Sequence, residues 1–219
     1  MRDADPQPSA DTPFLRGWLH MAALLVVIPA GVVLVVSADS PAARVATAIY
    51  AFSLAGMFAG SAFYHVVPWS EKGRARMKKL DHSMIYVLIA GTYTPFALLV
   101  IQGVWGMVIL SAVWIGALAG IALKLVHIDG FRRIGGALYI VLGWLAILGL
   151  PRLVSGLTLV EFVLVFAGGI TYTLGAVVLL RTKPDPSPKW FGYHEVWHVA
   201  VIVACACFYV ATLLVVLGR

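Results

Sequence analysis

Two short patterns carry the side chains best suited to chemistry. His194-Glu195-Val196-Trp197-His198 opens an apolar run that continues to Leu217. On a helix the two histidines lie one turn apart on one face, a spacing at which two imidazoles can hold one divalent cation. Ser61 and His65 repeat the four-residue spacing near the end of another apolar run, and Asp81 stands at the start of a third. Ionisable groups in such runs are costly, so each is a candidate for function. His65, His194 and His198 are therefore the expected metal ligands. Three neutral imidazoles suit zinc with its fourth position open, where a bound water reaches a pKa of ~7. Other first-row ions also accept three imidazoles. Asp81 is expected beside them, as base for that water or to orient a histidine. Its alternative is simply to cap the third helix. Ser61 is expected to bond Asp81 or the water, with small-residue packing as its alternative.

The same five residues, 194 to 198, match H-E-x-x-H, the zinc-protease pattern in which the glutamate is the base. Here the pattern opens an apolar span and no third ligand of the protease kind follows it. Glu195 is instead expected to face the interface or a neighbouring helix. His20 is expected near the same interface with nothing paired to it. His127 falls in a loop with Lys124 and Arg132, and His82 projects about 100° away from Asp81. Cys205 and Cys207 lie within an apolar run, so packing is expected for them rather than a disulfide.

The elements that must position these groups are membrane spans. The chain is 61% hydrophobic and only 12% charged, against about a quarter charged in soluble domains. Seven apolar stretches, at about 17–36, 45–67, 82–101, 104–126, 134–150, 158–180 and 194–217, approach the ~20 residues that cross hydrocarbon. Little more than Gln102-Gly103 separates the third from the fourth, which implies a tight hairpin. The expected fold is all-α, a seven-transmembrane helix bundle over residues 15–219. Met1–Phe14, polar and proline-rich, is expected to be a disordered cytoplasmic tail and not a signal peptide.

Charge fixes the expected orientation. With the N-terminus in the cytoplasm, Arg2, Arg16, Lys72, Arg74, Arg76, Lys78, Lys79, Lys124, Arg132, Arg133, Arg181, Lys183 and Lys189 lie inside. Only Arg44, Arg152 and Arg219 lie outside, with the C-terminus. Thirteen against three is a strong positive-inside bias, and an even number of spans would scramble it. The net charge of +6 is thus explained by topology, and no nucleic-acid partner is expected. The loop Glu71–Lys79 could also meet anionic headgroups. Ser61, His65, Asp81, His194 and His198 all fall at one cytoplasmic depth under this topology, although none of them entered the charge argument. Gly56-x-x-x-Gly60 and Gly116-x-x-x-Gly120 allow close helix approach. Pro29 and Pro95 should bend their helices, and Trp18, Trp69, Trp105 and Trp190 sit near span ends.

These stretches carry a family likeness. Ser61-Ala-Phe-Tyr-His65, Leu80-Asp81-His82-Ser83 running to Gly91-Thr92-Tyr93-Thr94-Pro95, and His194-Glu-Val-Trp-His198 resemble the progestin and adipoQ receptor family in its bacterial hemolysin III branch. The likeness covers nearly the whole chain beyond the tail. It implies a multi-pass protein of the bacterial inner membrane, zinc on the three matched histidines, and Asp81 and Ser61 holding or activating its water. The pattern is also similar to that of alkaline ceramidases, which cleave a sphingolipid amide. Family members are described as receptors, lipid amide hydrolases and cytolytic proteins. The long N-terminal domain of adiponectin receptors has no counterpart here, so signalling of that kind is not expected. The leading expectation is a zinc hydrolase cleaving a lipid amide or ester, with a lipid or acyl-chain substrate. The alternatives are a sensor in which zinc only staples helices, and a pore-forming cytolysin. No protein partner is indicated.

Overall fold

A computed structural model describes residues 13–126 and 132–218. The helices are α1 (Trp18–Val36), α2 (Pro41–Val66), α3 (Glu71–Pro95), α4 (Gly103–Val126), α5 (Arg132–Trp144), α6 (Leu150–Gly156), α7 (Leu159–Arg181) and α8 (Tyr193–Leu217). A π-helical segment, Phe96–Ile101, prolongs α3, and a 3-10 turn, Leu145–Gly149, joins α5 to α6. Seven of the resulting stretches are long and apolar enough to cross a membrane, with Gly136–Gly156 forming the fifth. There is no strand among the described residues. The expectations for residues 1–12, for His127 and for Arg219 lie outside the described residues.

Helix starts are written in short polar signals. The Ser40 hydroxyl accepts from Ala43 N at 3.1 Å, with Pro41 at the first helical position of α2. Thr158 and Glu161 cap α7 reciprocally, Glu161 Oε2 accepting from Thr158 N at 2.7 Å. Such caps satisfy donors that the first turn leaves open. The Gln102-Gly103 hairpin takes positive φ at both residues, 52° and 57°.

The third helix starts earlier than hydropathy suggests. Ser70 caps it by accepting from Gly73 N at 3.2 Å, and Glu71 occupies its first turn. The basic stretch expected as a loop is therefore the opening of α3, and Asp81 lies inside the helix instead of starting it. The physical reason is that hydropathy marks where lipid begins, whereas a cap and good helix formers such as lysine and arginine mark where the helix begins. The fifth span likewise runs on past 150, because Pro151 at the start of α6 is tolerated there.

From α1 to α5 each helix packs against the next, α5 meets α7, α7 packs on α8, and α8 also meets α1 and α2, which closes the bundle. One apolar core joins Leu34, Tyr50, Leu54, Phe58 and Leu88 to Trp197 and Val201 of α8. A second gathers Tyr86, Phe96, Ile109, Val113, Leu142 and Leu153. Both expected glycine pairs lie at contacts. A Cβ on Gly116 would meet Leu142 at 2.5 Å, and one on Gly120 the Tyr86 ring at 2.4 Å. Gly60 lies against Met84 and the Asp81 Cα, drawing α2 onto α3 beside Ser61. Pro95 stands where α-helix gives way to π-helix, and Pro29 lies within α1. Both cysteines are free, with Cys205 buried.

Candidate metal centre

Three histidines meet at the end of the bundle where α2 finishes and α8 begins. His65 sits in the last turn of α2. His194 and His198 project from the first two turns of α8, whose start is fixed by Glu195 Oε2 accepting from Gly192 N at 2.8 Å. The ring centroids are 4.9 Å apart for His65 and His194, 5.3 Å for His65 and His198, and 4.7 Å for His194 and His198. One ligand nitrogen from each ring lies within 4.8 Å of the others. His65 and His198 are buried and His194 half-buried.

The donor set fits a divalent ion. His65 Nε2 and His198 Nδ1 are buried with no hydrogen-bond partner. A buried, unpaired ring nitrogen costs free energy comparable to a lost hydrogen bond. A cation shared by the three rings would satisfy these lone pairs at once.

The other expected site residues are placed as follows. Asp81 is half-buried on α3, and one of its oxygens lies 3.7 Å from His82 Nδ1. His82 Nδ1 contacts the Lys78 carbonyl oxygen at 2.8 Å, and the His82 carbonyl accepts from the Tyr139 hydroxyl at 2.9 Å. Ser61 is buried, but its hydrogen-bond partner is neither Asp81 nor one of the three rings. It shares a 2.8 Å hydrogen bond with His20 Nδ1. Glu195 is fully buried, and in place of the expected interface or neighbouring helix it meets Arg16 in the segment just before α1.

His20, expected to stand alone, is the main residue that sequence reasoning missed. It stacks on His198 with centroids 3.8 Å apart and planes 15° from parallel. Arg16 and Gly17 were missed with it. Gly17 has φ +81°, and a Cβ there would lie 2.6 Å from the His65 Cβ. The chain just before α1 is hooked to the α7–α8 connection, Phe14 N donating to Lys189 O at 3.0 Å and Leu15 N to Trp190 O at 3.3 Å. The available signals were opposite charges at one depth and a fourth histidine in an apolar span.

The end of α3 that carries its basic residues lies over the site. The Arg74 guanidinium sits 5.0 Å from the Tyr64 ring centroid, and Tyr64 in turn touches His65. A surface groove of about 840 Å³ lies at the opposite end. It runs between the π-helical segment and α4, is mainly apolar, and its lining holds no ionisable side chain.

Comparison with known proteins identifies the family. A family model described as Haemolysin-III related matches residues 9–209. The chain is 34% identical over 202 residues to Hemolysin-3 of Bacillus cereus, an alignment covering 87% of this chain and 88% of the relative. It is 32% identical over 197 residues to the Hemolysin-3 homolog of Bacillus subtilis (strain 168), covering 89% of each. The matched region holds every residue of the three-histidine cluster and the groups around it. With seven apolar helices, the chain is a multi-pass integral membrane protein and belongs to the Haemolysin-III related family.

Proposed function

We propose that His65, His194 and His198 hold a zinc ion and that the protein is a zinc-dependent hydrolase of lipid amides or esters, with a ceramide-like amide as the leading substrate class. The observation that carries this reading is the convergence of three imidazoles with two buried, unpaired ring nitrogens. The bound ion would supply Lewis acidity and a nucleophilic water at neutral pH. Asp81 would take a proton from the attacking water and return it to the leaving nitrogen or oxygen. Ser61 would act through His20, with which it shares its hydrogen bond. The apolar helix faces around the site suit an acyl chain.

The site would face the cytoplasm of a bacterial inner membrane. Support comes from the distribution of charge. Arg16, Lys72, Arg74, Arg76, Lys78, Lys79, Lys124, Arg181, Lys183 and Lys189 share the histidine end, whereas Arg44 and Arg152 occupy the other.

The test uses protein purified in detergent micelles. Elemental analysis should find about one zinc per chain. Incubation with a panel of ceramides, other lipid amides and lipid esters should release fatty acid in the metal-replete protein and not after chelation. Asp81→Ala should retain zinc and lose turnover, whereas His65→Ala should lose both. Zinc-loaded protein that turns over no member of the panel would sink the hydrolase reading.

A second reading is a sensor in which the ion only ties helices together. It is favoured by the way the cluster and the Arg16–Glu195 pair join the segment before α1 to α2 and α8. If His194→Ala lowers thermal stability and leaves all metal-dependent activity intact, stapling is the better account. The relatives' name points instead to cytolysis. Conductance in planar bilayers from wild-type protein would support that reading, and its absence would remove it.

A further inference from the structure

We propose that His20 is a positioning residue of the metal centre: it fixes the ring plane of the ligand His198 and ties that ring to Ser61 across three helices. The proposal rests on the three histidines binding a metal.

The His20 ring is held from several directions. One face stacks on His198 at 3.8 Å, with the planes only 15° from parallel. Phe58 of α2 meets it edge to face at 5.1 Å and 81°. Nδ1 is engaged by the Ser61 hydroxyl at 2.8 Å. Only 2% of the residue is exposed, so there is little room to turn. An imidazole coordinates through an in-plane lone pair. Fixing the plane of His198 therefore fixes the direction in which its nitrogen can offer electrons, which is how groups behind a ligand tune a metal site.

His20 is not itself read as a fourth ligand. Nearly parallel stacked rings send their in-plane lone pairs side by side instead of converging, and His20 stands outside the trio whose ligand atoms lie within 4.8 Å. A phenylalanine at position 20 could stack in the same way but could not hold Ser61. That difference assigns separate parts to the ring and to its nitrogen.

The experiment compares wild type, His20→Leu, His20→Phe, Ser61→Ala and His65→Ala, purified in micelles. The readouts are zinc affinity by chelator competition and the visible ligand-field spectrum of the cobalt(II)-loaded protein. His20→Leu should bind zinc roughly 10- to 100-fold more weakly, the range seen when partners of ligating histidines are removed, with a changed cobalt spectrum. His20→Phe and Ser61→Ala should each lose up to about tenfold, the value of one hydrogen bond. A merely structural role would lower the unfolding temperature and leave the cobalt spectrum of folded protein unchanged. Wild-type affinity and spectrum in His20→Leu overturn the proposal. Should His20→Leu fail to fold, wild-type behaviour in both His20→Phe and Ser61→Ala overturns it. If wild type takes up no more metal than His65→Ala, the metal reading falls and takes this proposal with it. Metal-bound wild type beside an unaltered His20→Leu removes only the role of His20.

Discussion

At the end of the bundle that carries Ser40, Arg44, Arg152 and Thr158, polar side chains close onto the backbone. Ser40 and Thr158 cap their helices, Arg44 Nε donates to Ala38 O at 2.9 Å, and Arg152 Nη1 donates to Ile101 O at 3.3 Å. At the opposite end, ring nitrogens of His20, His65 and His198 are buried with no hydrogen-bond partner, and the ion pair of half-buried Arg16 with buried Glu195 stands beside them. Both are ends of one bundle of apolar spans, so the membrane does not explain the contrast. Polar groups that serve only the fold are satisfied locally. The unpaired nitrogens crowd where α1, α2 and α8 meet, and that is the arrangement expected of groups waiting for a ligand.

The contrast can be broken by substitution at either end. The largest effect is expected from His65→Ala or His198→Ala, which should reduce bound zinc from equimolar to near background by elemental analysis. Undiminished zinc in both variants would mean that the cluster is not the site. Next is the Arg16–Glu195 pair. Arg16→Met should destabilise the protein by ~3–5 kcal/mol, because it removes the ion-pair partner of the fully buried Glu195 carboxylate. Glu195→Met should cost less, because Arg16 is only half-buried. The double substitution should recover much of that loss in denaturant titrations of the micellar protein. Additive losses would show that the two side chains act independently.

Gly17→Ala follows. It forces a side chain into a left-handed conformation, worth about 1–3 kcal/mol, and pushes on the His65 Cβ. Lower thermal stability should therefore come with weaker zinc binding. A stability loss with unchanged zinc affinity would uncouple this segment from the site. The smallest effect belongs to the far end. Thr158→Ala should cost ~1 kcal/mol through the lost cap and leave zinc affinity at the wild-type value. A change in affinity there would erase the distinction between the two ends.

The seven spans were readable because lipid imposes a simple length and composition rule on each of them. The three-histidine cluster was readable for a different reason. Helical spacing put His194 and His198 on one face, and counting spans put His65 at the same depth. Depth is encoded along the chain, whereas rotation about a helix axis is not. The apolar residues of α1 are spread around it, so nothing in its pattern says that His20 faces α2 and α8 instead of lipid. Its partner Ser61 lies 41 positions away. The start of α3 was legible in Ser70-Glu71 but was outweighed by hydropathy. Arg16 and Glu195 were each read alone, and an unlike pair at matching depths is a pattern that single-residue reasoning overlooks.

The hook between the residues before α1 and the α7–α8 connection has a bearing on biogenesis. The first span and the last are clasped together at Phe14 and Leu15, and two of the three imidazoles arrive with the final helix. While the ribosome is still translating, the nascent bundle holds His65 and His20 without the residues that complete their surroundings. A metal held by these three histidines, as proposed, would therefore load late, only once the last helix has been threaded and the ring of spans has shut.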